Sequence, residues 1–223
     1  MTKLGLIHTV ASLRPVFEGL AAEMLPGVEV TSLVDEDLLG ETIAAGHIRP
    51  DTAERLEREV RDQFDEGSDL VLVTCSSVGP AVERIAAEHD WPLIRIDEAM
   101  GDRAIELGPR IGVAATLPTT LEPTEELIRR RARAAGEEVE VRSVIAEGAF
   151  DALKAGDLEN HDRLVRDALE TLAPTVNVVV LAQASMARVA ASLPPELTER
   201  TPILASPRLA MERVARRLTG TAP

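Results

Sequence analysis

Residues 69–79, DLVLVTCSSVG, contain the pattern that decides the fold. Four consecutive apolar residues, 70–73, are bounded by an aspartate on one side and by threonine, cysteine and two serines on the other. A short continuous apolar run is typical of a parallel strand that is buried on both faces. Gly79 and Pro80 then open an amphipathic stretch, which predicts a helix. Strand, turn and helix in this order are the repeating unit of a parallel α/β fold.

The same alternation extends along the whole chain. Strands are predicted at 4–9, 28–33, 70–74, 93–96, 111–115, 139–144, 176–182 and 203–205. Further helices are predicted at 51–64, 122–135, 157–172 and 207–218. Asp51 or Thr52 is the predicted cap of the first of these, and Leu158 is a predicted buried residue of the third.

Three segments of the first half have counterparts in the second half, in the same order. The pairs are LGLIHT and IGVAAT, DLVLVTCSS and NVVVLAQAS, and PLIRID and PILASP. Each second copy follows its first copy by 107–110 residues. Apolar strands resemble one another, so coincidence is the alternative, but the common order and offset favour two similar lobes. We place them at 1–98 with 207–223, and at 99–206.

The predicted architecture is therefore an α/β protein of two pseudo-symmetric lobes, each built on a mainly parallel four-stranded sheet. Ligands of open α/β sheets bind at the carboxyl ends of the strands. We accordingly expect a ligand cleft between the lobes, lined by the turns that follow the strands.

Composition excludes several classes of function. The net charge of −14 disfavours a nucleic-acid partner, and no apolar run is long enough for a membrane span. The single cysteine excludes an internal disulfide and a multi-thiolate zinc site, and the first residues lack a signal-peptide pattern. We expect a cytoplasmic protein without a metal, and no cofactor-binding motif such as GxGxxG is present.

Cys75 is the residue most suited to chemistry, because it lies in the turn between a strand and a helix. The free N–H groups and the positive dipole end of a helix N-terminus stabilise anions, so we expect a lowered thiol pKa. Ser76 and Ser77 could cap the helix or contact a ligand. The alternative is a buried, inert cysteine.

With these segments, the chain resembles the aspartate/glutamate/hydantoin racemase superfamily over nearly its whole length. The resemblance rests on IHT at 7–9, VLVTCSS at 71–77, RIGVAATLPTT at 110–120, VVVLAQASM at 178–186 and PILASP at 202–207. It implies two flavodoxin-like lobes and no cofactor. It also implies two cysteines that exchange a proton on opposite faces of a substrate, the first of which corresponds to Cys75. Gln183 stands at the second position, and an amide cannot exchange protons at neutral pH.

The resemblance also implies substrate-binding groups in the turns. In the first lobe these are Thr9 and Ser12, with His8 as a titratable group that could handle a second proton. For His8 the alternative is a locally hydrogen-bonded histidine. In the second lobe the substrate-binding set is Thr116, Thr119, Thr120, Gln183, Ala184 and Ser185. The threonines could also cap the following helix.

The sequence therefore predicts a cofactor-independent enzyme, an isomerase or epimerase that uses the single thiolate of Cys75 on a small carboxylate or carbonyl substrate. A one-cysteine lyase or decarboxylase is the first alternative, and a non-catalytic carboxylate-binding relative is the second. The resemblance makes a homodimer plausible.

Overall fold

The computed structural model describes residues 1–190 and 192–220 and contains two four-stranded, all-parallel sheets. This confirms the predicted α/β class. The chain divides into two compact units, which we call lobe one (Met1–Glu98 and the residues from Pro207 onward) and lobe two (Ala99–Ser206).

Lobe one has the strand order β2-β1-β3-β4. Its strands are β1 Lys3–His8, β2 Glu29–Val34, β3 Leu70–Val73 and β4 Leu93–Arg95. Its helices are α1 Arg14–Met24, α2 Asp37–Ala45, α3 Pro50–Asp65 and α4 Gly79–His89, and α11 Ser206–Thr219 packs on the same lobe. A short 3₁₀ turn, Ala11–Leu13, precedes α1.

Lobe two has the equivalent order β6-β5-β7-β8. Its strands are β5 Arg110–Ala115, β6 Glu140–Ile145, β7 Val178–Leu181 and β8 Ile203–Ala205. Its helices are α5 Glu98–Leu107, α6 Pro118–Ala135, α7 Ala149–Lys154, α8 Leu158–Leu172, α9 Ala187–Ala190 and α10 Pro195–Arg200. Short 3₁₀ turns cover Ala173–Thr175 and Ala184–Met186.

The two lobes have matching backbone hydrogen bonds at the ends of their strands. Thr74 N–H donates to the Ile7 carbonyl at 2.9 Å, and Ala182 N–H donates to the Ala114 carbonyl at 2.9 Å. The next residues along the chain are Cys75 and Gln183, so these two side chains occupy matching positions in their own lobes.

Two apolar clusters cover the two faces of the sheet in lobe one. One cluster joins alternate strand residues such as Leu6 and Leu72 to α1 and α11. The other joins Ile7, Val73 and Cys75 to α3 and α4. Successive strand side chains point to opposite faces, which explains why β1 and β3 contribute to both clusters.

The starts of two helices and the burial of one residue differ from the predictions. Helix α6 begins at Pro118 rather than near 122, because proline is well suited to the first turn of a helix. Neither predicted cap of α3 is confirmed, since the helix begins at Pro50 and Thr52 instead donates its hydroxyl to Glu41. Leu158, predicted to be buried, is 46% exposed because it is the first residue of α8.

None of the helices in the described part of the chain combines the length and the apolar character needed to cross a membrane.

Candidate functional site

Cys75 lies at the carboxyl edge of the sheet in lobe one, directly after β3 and before α4. The thiol is 8% exposed, and its neighbours include the Thr9 and Ser77 hydroxyls and the backbone of Ser77 and Val78. Burial raises the pKa of the Cys75 thiol, and these hydrogen-bonding groups lower it by less. The predicted lowering of the pKa is therefore wrong for this arrangement, because loss of hydration outweighs the helix terminus.

The Thr9 hydroxyl is the polar group from β1 that approaches the thiol. It is buried and has no well-aligned hydrogen-bond partner among the described residues. The hydroxyl lies near the sulfur and lowers the thiol pKa by less than burial raises it. A hydroxyl rotates freely and would donate to a thiolate once one forms.

His8 belongs to the opposite face of the sheet from Cys75. Its ring packs against Phe17 of α1 with centroids 5.7 Å apart, and its Nδ1 lies 2.9 Å from the Thr74 hydroxyl. That hydroxyl donates to the Ile7 carbonyl, so it accepts from Nδ1–H. The structure therefore brings His8 to Thr74 and Phe17, and brings Cys75 to Thr9 and Ser77.

Burial also keeps the His8 ring neutral. Desolvation lowers its pKa to about 4, although the nearby charge of Glu18 opposes this shift. With the proton on Nδ1, the other ring nitrogen, Nε2, presents a lone pair, and this buried atom has no hydrogen-bond partner in the described residues. His8 is thus a hydrogen-bond acceptor at neutral pH rather than a proton donor.

The other predicted groups of lobe one differ in exposure. Ser76 and Ser77 are buried in the turn that follows Cys75. Ser12 is exposed in the 3₁₀ turn after β1, where the neighbouring Ala11 N–H donates to Glu36. The serines beside the thiol are therefore held closely, whereas Ser12 is open to solvent.

In lobe two, Gln183 is bound at both ends of its amide to one residue, Thr116. Its Oε1 accepts from the Thr116 backbone N–H at 2.6 Å, and its Nε2 donates to the Thr116 hydroxyl at 2.7 Å. The backbone N–H can only donate, which fixes the orientation of the amide. Thr116 corresponds in register to Thr9, so each lobe pairs the threonine after its first strand with the residue after its third strand.

Thr119 and Thr120 lie in the first turn of α6, and Ala184 and Ser185 lie in the half-buried 3₁₀ turn after β7. The Thr119 side chain is 9% exposed, and its buried hydroxyl has no hydrogen-bond partner among the described residues. A free hydroxyl beside the N-terminus of a helix suits an anionic group of a ligand.

An ion pair that the sequence analysis missed packs against the start of α4, the helix that follows the turn of Cys75. Arg95 and Asp97 are almost fully buried and make two hydrogen bonds, at 2.6 and 2.8 Å. The Arg95 guanidinium also lies 3.4 Å from Glu83 and packs against Gly79, where a Cβ atom would overlap it. Gly79 is therefore required by close packing at the start of α4. The only sequence signal was an arginine and an aspartate inside PLIRID, an otherwise apolar strand segment.

A second cluster of charged side chains, partly buried, follows β2. Asp35 and Glu59 both flank the Arg55 guanidinium, whose Nη2 lies 2.6 Å from Asp35. Burial, together with the hydrogen bond to Asp35, raises the pKa of Glu59 to about 8. Burial opposes ionisation of Asp35, but the hydrogen bond from Glu59 and the charge of Arg55 outweigh it, so the Asp35 pKa is lowered. At neutral pH, Glu59 therefore holds a proton that it donates to Asp35.

This shared proton predicts a pH-dependent stability. Between the usual pKa of 4.5 and about 8, folded Glu59 keeps a proton that the unfolded chain releases, so stability falls as pH rises through this window. Glu59→Gln keeps a donor without titrating, and we expect a flatter profile of urea unfolding midpoint against pH. Glu106→Gln, at an exposed site, is the matched control and should keep the wild-type slope. A Glu59→Gln slope equal to that of wild type would refute the assignment.

Comparison with known proteins identifies the family. A sequence model described as Asp/Glu/hydantoin racemase matches residues 4–214. No curated protein matches significantly.

Solved structures resemble the chain at low identity. A glutamate racemase from Bacillus anthracis has a TM-score of 0.70 at 15% identity, covering 98% of this chain and 82% of that one. An allantoin racemase from Klebsiella pneumoniae has a TM-score of 0.65 at 18% identity, covering 100% and 90%. An aspartate racemase homologue from Pyrococcus horikoshii has a TM-score of 0.69 at 14% identity, covering 98% and 100%. These likenesses show the two-lobed fold, and the family match over residues 4–214 shows that the chain belongs to the Asp/Glu/hydantoin racemase family.

Proposed function

We propose that the protein is a cofactor-independent isomerase or epimerase that uses Cys75 as its single catalytic thiol on a small carboxylate or carbonyl compound. Family membership supports an isomerase-type enzyme. The assignment of a single catalytic thiol rests on a difference between two matching positions in the lobes. Lobe one has a thiol after its third strand, and lobe two has an amide there.

The amide of Gln183 supports a one-thiol reaction in two ways. An amide does not exchange protons at neutral pH. Its two ends are also engaged by Thr116, so its contribution is to fix the turn after β5. Proton transfer then depends on Cys75. The raised pKa implies that the resting thiol is protonated, so a bound substrate must favour its ionisation.

The polar groups of lobe two support a carboxylate as the part of the substrate that is recognised. The Thr116 hydroxyl accepts from Gln183, so its own proton can point to another acceptor. The Thr119 hydroxyl is a second donor, and it lies in the first turn of α6, at the positive end of the helix dipole. Together these donors suit a carboxylate better than a neutral carbonyl group.

Thr119→Val tests this recognition. Hydrogen bonds to charged groups contribute about 1.5–3 kcal/mol, so we expect KM to rise about tenfold or more while kcat changes less. Steady-state kinetics on the best substrate measures both constants. Thr171→Val is a suitable control, because its exposed hydroxyl donates to the Asp167 carbonyl within α8. An unchanged KM in Thr119→Val would show that this hydroxyl does not bind the substrate.

The function itself is tested by proton exchange. Purified protein is incubated in deuterated water with a panel of amino acids, unsaturated dicarboxylates and hydantoins, and label at the carbon beside the carboxylate or carbonyl group is followed by NMR. We expect incorporation into at least one compound class. Failure of every class to exchange would contradict the isomerase proposal. Loss of carbon dioxide or ammonia would instead identify lyase chemistry, for which one thiol also suffices.

A carboxylate-binding protein without catalysis is the second candidate, and the missing second cysteine is the observation that favours it. Thermal-shift measurements on the same panel discriminate between the two. A binding protein would be stabilised equally as wild type and as Cys75→Ala, with no turnover of the stabilising compound. Turnover of that compound by the wild type would exclude this candidate.

A further inference from the structure

Outside the candidate site, α3 and α4 bring a histidine and two carboxylates together. His89 Nε2 lies 2.9 Å from Glu57 Oε1, and Glu88 lies beside His89 in the sequence. One ligand atom from each of these three residues lies within 4.8 Å of the other two. Two ligands of one tetrahedral Zn²⁺ ion are separated by about 3.3 Å, given bonds of about 2.0–2.1 Å. Small side-chain movements would therefore bring all three atoms onto one ion.

We propose that Glu57, Glu88 and His89 form a binding site for a divalent transition metal ion such as Zn²⁺. One imidazole nitrogen and two carboxylates are a suitable ligand set for Zn²⁺, with a fourth position left to water. The site joins the last turn of α4 to the middle of α3, so a bound ion would stabilise lobe one. This inference does not depend on the proposed function.

Two of the three ligands are already held in place. The His89 ring stacks on Trp91, with centroids 4.2 Å apart and an interplanar angle of 17°. The Glu57 side chain is mostly buried and lies against the imidazole through its hydrogen bond with His89. The Glu88 side chain is half exposed and is therefore free to turn towards the ion.

Two arginines neutralise these carboxylates in the metal-free protein. Arg84 lies 2.6 Å from Glu88 and 3.7 Å from Glu57, and Arg61 lies 3.2 Å from Glu57. Both arginine side chains are about half exposed, so water can hydrate them once a divalent ion takes their place beside the carboxylates. Their displacement by a divalent ion therefore costs little.

Trp91 provides a direct readout, since it is the only tryptophan of the chain and there is no tyrosine. Zn²⁺ binding is measured by calorimetry and by the rise in Tm, and paramagnetic Ni²⁺ is used to quench Trp91 emission. We expect saturable binding of one ion per chain, reversed by EDTA. The same titration in Cys75→Ser should be unchanged, because the thiol lies outside the site.

Matched variants decide the assignment. Glu57→Gln and His89→Gln should each weaken Zn²⁺ binding by at least about tenfold, and His47→Gln should bind like wild type because its imidazole lies near the Ala45 carbonyl instead. If His89→Gln unfolds, Glu57→Gln carries the comparison, since it keeps the stack on Trp91. The proposal is overturned if Zn²⁺ gives no saturable signal, or if both site variants bind it as tightly as wild type.

Discussion

Cys75→Ser should lower turnover by about 10²–10⁴-fold, the contribution typical of a group that transfers a proton in the transition state. A serine hydroxyl is a far weaker acid than a thiol, so it does not ionise even when a substrate is bound. The substitution removes little volume, and the Thr9 and Ser77 hydroxyls can hydrogen-bond to the new oxygen. We therefore expect KM to stay close to its wild-type value, with the loss in kcat.

Steady-state kinetics of wild type, Cys75→Ser and Cys75→Ala on one substrate measures this effect. Circular dichroism and the urea midpoint serve as controls, so that a loss of folded protein is not mistaken for a loss of chemistry. A decrease in kcat of less than threefold, at unchanged stability, would show that the thiol is an inert buried cysteine.

Asp97→Ala should be the most damaging single substitution for stability that the structure identifies. It leaves the Arg95 guanidinium almost fully buried with only part of its charge balanced, chiefly by Glu83. Breaking a buried ion pair in this way costs about 3–5 kcal/mol. Lobe two has Ala205 and Pro207 at the matching positions, so the strand and helix do not themselves require the pair.

Urea unfolding measures the change in the free energy of unfolding. Glu106→Ala is the matched control, because Glu106 pairs with Arg103 at an exposed site and should change stability by less than about 0.5 kcal/mol. The double variant Arg95→Met with Asp97→Leu should recover much of the loss, since it removes the uncompensated charge. A cost below about 1 kcal/mol for Asp97→Ala would contradict the role assigned to the pair.

The strands could be predicted from the sequence, because their apolar residues form either a continuous run, as in β3 and β7, or a run interrupted by polar residues, as in β2 and β6. The runs at 70–73 and 178–181 lie in β3 and β7, and the common offset of the repeats matches the identical strand order of the two sheets. Helix ends were less accurate, since their positions depend on which side chain satisfies the first N–H groups.

Contacts between side chains that are distant in the sequence could not be predicted. Thr116 and Gln183 are 67 residues apart, and nothing in either segment indicates that the amide binds the threonine at both ends. The separation of His8 from Cys75 depends on which helix covers each face of the sheet. The direction of the Cys75 pKa shift depends on a balance between burial and hydrogen bonds, which a sequence does not contain.

The most direct test of the account is a parallel measurement of deuterium incorporation by wild type, Cys75→Ala and Gln183→Ala. The substrate is whichever compound the wild type exchanges, and label is followed at the carbon beside its carboxylate or carbonyl group. The account predicts that Cys75→Ala loses incorporation, whereas Gln183→Ala retains most of it because the amide only fixes the turn of Thr116. Undiminished incorporation by Cys75→Ala would contradict the central claim that one thiol, in lobe one, performs the proton transfer.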